Sequence, residues 1–256
     1  MEYKGFDINF SLEGKIALVT GAASGIGRAI VEMYAQKGVS IIALDLLPKV
    51  HELTGELSGY DINVLTFAGD VSDKDFIRSV VSDSIQKMGR IDILVNCAGI
   101  AILDDAENLE LEAWNKTLLI NLTAPFMLAQ SVGKEMIKSG GGKIINIASQ
   151  AGIVALDKHV AYCASKAGII SMTKVMAMEW GEYNININAI SPTVILTDLG
   201  KRAWAGQVGE DMIKKIPAGR FGYPEEVAGA AVFLASDAAN LITGENLVID
   251  GGYTIQ

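Results

Sequence analysis

The sequence predicts an α/β protein built as one doubly wound parallel sheet with helices on both faces, in a single domain over residues 1–256. Three observations carry that expectation. Apolar runs of strand length alternate with helix-length stretches from residue 15 almost to the end. A glycine-rich turn, Thr20–Gly27, joins the first strand to the first helix. An acid, Asp45, closes the second strand. Alternation of this kind argues for parallel pairing, because parallel strands must be joined by crossovers that are usually helical.

The elements follow in order. Lys15–Thr20 is a short, β-branched apolar run ended by glycine, so it reads as a buried strand. Gly25–Lys37 carries Ile26, Ile30, Met33 and Tyr34 at helical spacing. Strands follow at Ser40–Leu44 and Asn63–Phe67. Asp73–Met88 is a helix with Ser72 or Asp73 as its N-cap. Ile91–Val95 and Lys143–Ile147 are strands on either side of a long helix around Leu111–Lys138. A second long helix runs from about His159 to Tyr183, then strands at Asn186–Ile190 and Asn246–Ile249. Residues 1–11 precede the first strand as an arm. No repeat, linker or charge run divides the chain.

Half the residues are hydrophobic, which supplies a sizeable core and excludes a disordered chain. The net charge of −9 argues against nucleic acid as a partner, since phosphate backbones are held by clustered Lys and Arg. It leaves room for an anionic cofactor held locally by backbone N–H groups. The two cysteines, Cys97 and Cys163, lie far apart and read as reduced core thiols, with neither a disulfide nor a metal site expected. The N-terminus has no secretory pattern, and no apolar run approaches the roughly 18 residues of a membrane span. A soluble, cytoplasmic protein with no membrane partner is expected.

The turn Thr20-Gly21-Ala22-Ala23-Ser24-Gly25-Ile26-Gly27 points to a dinucleotide. Glycines there allow a tight turn and a close backbone approach to pyrophosphate, while the helix N-terminus offers unpaired N–H groups. Gly21, Ser24, Gly25, Ile26 and Gly27 are the candidate contacts. Asp45, about 20 residues on, can accept hydrogen bonds from the adenosine ribose and repels a 2′-phosphate. Leu46 follows it, and no Arg or Lys stands ready for that phosphate. NAD is therefore expected rather than NADP. Asp70 and Val71 after the third strand, and Asn96, Ala98 and Gly99 after the fourth, end at the same sheet edge.

Tyr162 and Lys166 stand one helical turn apart on one face, and Ser149 ends the preceding strand. A phenol with a pKa of about 10 serves as a base near neutrality only if nearby positive charge favours the phenolate. Lys166 and an oxidised nicotinamide are placed to supply that charge.

With these residues in this order, the chain resembles the short-chain dehydrogenase/reductase family from Leu12 to Tyr253. The turn Thr20–Gly27, Asn96-Cys97-Ala98-Gly99, Asn121, Ser149, Tyr162 with Lys166, and the ending Val248-Ile249-Asp250-Gly251-Gly252 carry the resemblance. It implies a Rossmann-type fold and a hydride exchanged between NAD and a secondary alcohol or its ketone. It also implies roles. Tyr162 would be the general acid/base, and Lys166 would hold the nicotinamide ribose and lower the Tyr162 pKa. Ser149 would bond the substrate oxygen, and Asn121 would hold a helix kink and a proton-relay water. Pro192, Ile195 and Thr197 would grip the carboxamide. Two positions depart from the family pattern: Thr193 where glycine is usual, and Cys97 where asparagine is commoner.

Gln150 and His159 join Ser149 and Tyr162 as candidate substrate contacts, and their polarity suits a polyol such as glycerol, a diol or a sugar alcohol. About 197–215, with Gly200, Gly206 and Gly209, reads either as a substrate lid or as a surface helix pair. The helix through Tyr162 is apolar on more than one face, and the resemblance implies a homotetramer built partly through it. The alternatives are a 3-oxoacyl carrier-protein reductase and, in a different class, a non-catalytic NAD-binding regulator. Asp45 speaks against the first, and the full set Asn121, Ser149, Tyr162 and Lys166 against the second.

Overall fold

The computed structural model describes residues 8–255. The N-terminal arm up to residue 7 lies outside the described residues. Of the remainder of that arm, Phe10 packs edge-on against Phe233, with ring centroids 5.7 Å apart.

Seven parallel strands form one sheet in the order β3-β2-β1-β4-β5-β6-β7. They are β1 (Ile16–Thr20), β2 (Ser40–Asp45), β3 (Val64–Ala68), β4 (Ile93–Asn96), β5 (Gly142–Ile147), β6 (Ile185–Pro192) and β7 (Asn246–Ile249). The helices are α1 (Gly25–Gln36), α2 (Leu53–Glu56), α3 (Lys74–Met88), α4 (Leu111–Leu118), α5 (Ala124–Ser139), α6 (Val160–Trp180), α7 (Asp198–Ala203), α8 (Gln207–Ile213) and α9 (Pro224–Ala235). This is the expected doubly wound, Rossmann-like sheet.

Each central strand is buried on both faces, so its residues alternate between two cores. Ala17, Val19, Ile41, Ala43, Ile93 and Val95 face the layer containing α1 and α9. Leu18, Ile42, Leu44 and Leu94 face the layer of α3, α5 and α6. From β1 the chain winds outward to β2 and β3, then crosses back to β4 on the other side of β1. A crevice opens at the carboxyl ends of β1 and β4 wherever a sheet reverses this way.

The expected elements are present, with two differences. The long helix around Leu111–Lys138 is interrupted by a π-helical tract, Leu119–Thr123, which centres on Asn121. Helix α9, not expected from the sequence, starts at Pro224 and is closed by a capping box between Tyr223 and Glu226. Asp73 rather than Ser72 caps α3, accepting from the Asp75 and Phe76 N–H groups. No helix among the described residues is long and apolar enough to cross a membrane.

Tyr34 is fully buried where α1 meets α9, and its hydroxyl donates to the Ala231 carbonyl at 3.1 Å. Removing one such bond typically costs about 1 kcal/mol. Tyr34→Phe should therefore lower the urea midpoint by a matching amount while sparing turnover. An unchanged midpoint would mean that this bond does not help hold the two helices together.

Candidate active site

The glycine turn is shaped by close contacts that exclude a side chain. Gly21 has φ +67°, and a Cβ there would stand 3.1 Å from the Ala98 backbone. Gly25 has φ +57°, and its Cβ would meet Thr197 Cγ2 at 3.0 Å. At Gly27 a Cβ would lie 2.2 Å from the Gly21 carbonyl oxygen, so only glycine lets α1 start this close to β1. The turn also places Ser24 on the surface as the first residue before α1, with Ile26 half-buried inside it.

Asp45 is 9% exposed, and both its carboxylate oxygens accept backbone bonds. Oδ2 takes the Ala23 N–H at 3.0 Å and Oδ1 the Leu47 N–H at 2.9 Å. The acid thus braces the glycine turn, and each oxygen keeps a lone pair free for a further donor. Leu46 beside it is 66% exposed. Asp70 is exposed at the end of β3 and accepts the Ser72 N–H, with Val71 buried behind it.

Beyond β4, the backbone of residues 97–100 runs across the crevice. The Thr20 hydroxyl oxygen accepts the Cys97 and Ala98 N–H groups at 2.9 and 3.0 Å, fixing the loop to β1. Asn96 does not turn its side chain to the crevice. Its amide donates to Asn146 Oδ1 at 2.8 Å inside the sheet, so any contact with a cofactor falls to its main chain. Gly99 lies over Asn121 and Lys166, where a Cβ would be 3.3 Å from Asn121 Oδ1 and 3.7 Å from Lys166 Nζ.

Asn121 sits in the π-helical tract at 1% exposure. Its Oδ1 accepts the Ile100 N–H, and its Nδ2 donates to the Ile100 carbonyl, both at 2.8 Å. Nδ2 also donates to Ser165 Oγ at 3.1 Å. An amide is the side chain that can meet one residue's N–H and C=O together.

Ser149 follows β5, its Oγ accepts the Ala151 N–H at 3.1 Å, and it lies close enough to Tyr162 to pull the phenol's pKa down. Lys166, 5% exposed, donates to the Ile147 carbonyl at 2.7 Å, and its Nζ stands 5.6 Å from the Tyr162 ring centre. Burial lowers the Lys166 ammonium to about 8. Burial also pushes the Tyr162 phenol up, against a downward pull from Ser149. The lowering expected from Lys166 does not appear: burial dominates, and the downward pull comes from Ser149. Cys97 is pushed to about 12 by burial, which leaves an unreactive thiol, and both cysteines are free.

The remaining residues close the crevice. Pro192 ends β6 and Ile195 is 6% exposed. Thr197 caps α7 by accepting the Gly200 N–H at 3.0 Å. Thr193 takes no left-handed backbone and donates its N–H to the Ile249 carbonyl, so the backbone there does not need the missing glycine, although the threonine buries a hydroxyl without a partner. Gln150 is 2% exposed, and His159 sets its ring edge-on to Tyr162 at 5.9 Å. Residues 197–215 hold α7 and α8, packed through Trp204, Met212 and Ile213 against Phe221 and Tyr253. Thr20, the Ile147 carbonyl and Ser165 were not singled out in the sequence. Only Thr20, closing β1 directly before the glycines, carries a local signal.

A glycine-lined turn braced by an acid, with buried Ser149 and Lys166 and half-buried Tyr162 beyond it, matches the arrangement expected of a dinucleotide-dependent dehydrogenase. The chain belongs to the short-chain dehydrogenase/reductase family: the family model described as enoyl-(acyl carrier protein) reductase matches residues 21–254. It is 58% identical over 256 residues to an NAD-dependent glycerol dehydrogenase of Listeria innocua serovar 6a, covering 100% of both chains. It is 54% identical over 251 residues to a D-threitol dehydrogenase of Mycolicibacterium smegmatis, covering 98% of this chain and 96% of that one. A solved short-chain type dehydrogenase/reductase from Mycobacterium marinum superposes with a TM-score of 0.91 at 34% identity, covering 96% of this chain and 98% of that one.

Because burial holds Lys166 at about 8, below its ordinary 10.5, folding carries a penalty for the ammonium. That penalty is full below about pH 8, fades from there to 10.5, and is absent above. Wild type should therefore gain stability relative to Lys166→Met as pH rises from 7 to 10. Denaturant titrations of both proteins across that range test it, and a stability difference that stays flat contradicts the burial argument.

Proposed function

We propose that this protein is an NAD-dependent polyol dehydrogenase, oxidising a secondary hydroxyl of glycerol, a diol or a sugar alcohol and reducing the matching ketone. The observation that carries the reading is half-buried Tyr162 between buried Ser149 and Lys166, beside a turn shaped by its glycines. The two polyol dehydrogenases at 58% and 54% identity support the substrate class.

The residues fit a dinucleotide. Gly21, Ser24, Gly25, Ile26 and Gly27 would hold its pyrophosphate, and Asp45 with Leu46 the adenosine ribose. Asp70, Val71, Asn96, Ala98 and Gly99 would line the adenine and ribose path. Tyr162, Lys166, Pro192, Ile195 and Thr197 would hold the nicotinamide end. When bound, the cofactor supplies the hydride acceptor and a positive charge near the phenol.

The chain itself manages the proton. Ser149, Gln150 and His159 orient the substrate, and Ser149 holds its oxygen against Tyr162. Tyr162 takes the hydroxyl proton in oxidation and returns it in reduction. The Lys166 ammonium and the Ser149 bond oppose the desolvation that favours a neutral phenol. Asn121 keeps the loop at Ile100 in register with Lys166.

The chain is also assigned to the cytoplasm as a homotetramer, acting as one domain with residues 197–215 as a substrate lid. Free thiols suit a reducing compartment. Val175 and Met178 of α6 and Phe126 of α5 stay 48%, 78% and 43% exposed, and a neighbouring subunit would cover them.

Tyr162→Phe should lower kcat for glycerol or threitol oxidation by about 10²-fold or more while NAD still binds, since proton transfer typically supplies that much. Near-wild-type turnover in this variant would remove the mechanism. For cofactor choice, Asp45→Asn with Leu46→Arg keeps an acceptor for the Ala23 N–H while exchanging repulsion for an arginine. It should move the NADP-to-NAD ratio of kcat/KM toward NADP by about tenfold. A wild type that already prefers NADP would refute the reading of Asp45.

A further inference from the structure

The loop after β4 and the loop leading into α6 enclose an open recess of about 470 Å³. The Asp104 N–H donates to the Lys158 carbonyl, and Lys158 pairs with Asp105 at 3.5 Å, so the two loops are tied together. His159 lines the recess and sets its ring edge-on to Tyr162, which joins the recess to the catalytic phenol. Its wall carries Asp104, Asp105, Glu107 and Asp157 against the single ammonium of Lys158.

We infer that this recess is the outer part of the substrate site and acts as a charge filter, admitting uncharged polyols and rejecting substrates of equal length that carry a carboxylate. The inference rests on the polyol reading above and names which members of the hydroxylated class can enter. Three features carry it. The recess is larger than glycerol needs, since a three-carbon triol displaces only about four waters, ~120 Å³ at about 30 Å³ each. A four- to six-carbon chain held at Tyr162 can therefore extend past His159. Along that path its far end meets an excess of carboxylates, which accept hydrogen bonds from hydroxyls and repel a second carboxylate. Independently, Gln150, next to Ser149, is 2% exposed with its Oε1 buried and without a partner. A buried acceptor of this kind gains from a hydroxyl donor, and an ionised carboxylate has no proton to offer.

The test compares threitol with threonate, the four-carbon acid, as substrates of the full-length protein with NAD. At low salt, kcat/KM should favour threitol by about tenfold or more. Raising salt to about 0.5 M should narrow the ratio by helping threonate alone, because exposed charges are screened within a few ångströms there. Asp104→Asn with Glu107→Gln should narrow it in the same direction at low salt. Equal use of both substrates by wild type, or a preference that neither salt nor the double variant moves, overturns the filter. The salt series needs no variant to fold. Failure to oxidise any neutral polyol at any salt overturns the parent reading and the filter together, whereas equal turnover of both substrates overturns the filter alone.

Discussion

The Thr20 hydroxyl joins the two strands between which the sheet reverses its winding. By accepting the Cys97 and Ala98 N–H groups, it holds the backbone after β4 across the end of β1. Gly21, at a φ of +67°, is then crowded by Ala98, where a Cβ would stand only 3.1 Å from its backbone. The same loop continues to Gly99, above Asn121 and Lys166. One side-chain oxygen on β1 therefore couples the glycine turn to the group around Tyr162. Loss of that tie would free the loop from β1 and loosen both halves of the site at once.

Burial is what makes the Tyr162–Lys166 pair chemically interesting and energetically awkward. Desolvation favours the neutral form of each, raising the phenol and lowering the ammonium. Left alone in this setting, the phenol holds its proton more tightly and the ammonium more loosely than in water. Two directional contacts act on the pair: the Ile147 carbonyl fixes Nζ, and Ser149 pulls the phenol only part of the way back down. The protein thus keeps a penalised arrangement in its folded state, which on the proposed reading is the cost of a site that switches protonation.

Much of this was legible before any coordinates. Strand-length apolar runs gave the sheet because both faces are covered, which leaves an uninterrupted signal in the sequence. The spacing of Tyr162, Lys166 and Ser149 placed them together because helix and strand geometry are rigid. Other features were hidden for physical reasons. The π-helical tract at Asn121 depends on a partner 21 residues away, the Ile100 backbone, and no local propensity announces it. The pairing of Asn96 with Asn146 was hidden in the same way, because it depends on the β4–β5 register that sets the two amides opposite each other inside the sheet. Helix α9 is alanine- and valine-rich with little amphipathic contrast, so its periodicity was weak although its capping residues were in view.

Asp45 has structural work that its residue type alone does not announce. The sequence assigns the acid a single task, discrimination at the ribose. In the fold its two oxygens already hold Ala23 and Leu47, so it shapes the turn that it helps to select for. Replacing it with an apolar residue would remove repulsion of a 2′-phosphate and also leave the Ala23 N–H without its acceptor. The two effects oppose each other, because a turn that loses its brace holds any dinucleotide less well. On the proposed reading, cofactor preference in this chain is a property of charge and backbone order together, and it shifts cleanly only when the acceptor at residue 45 is kept.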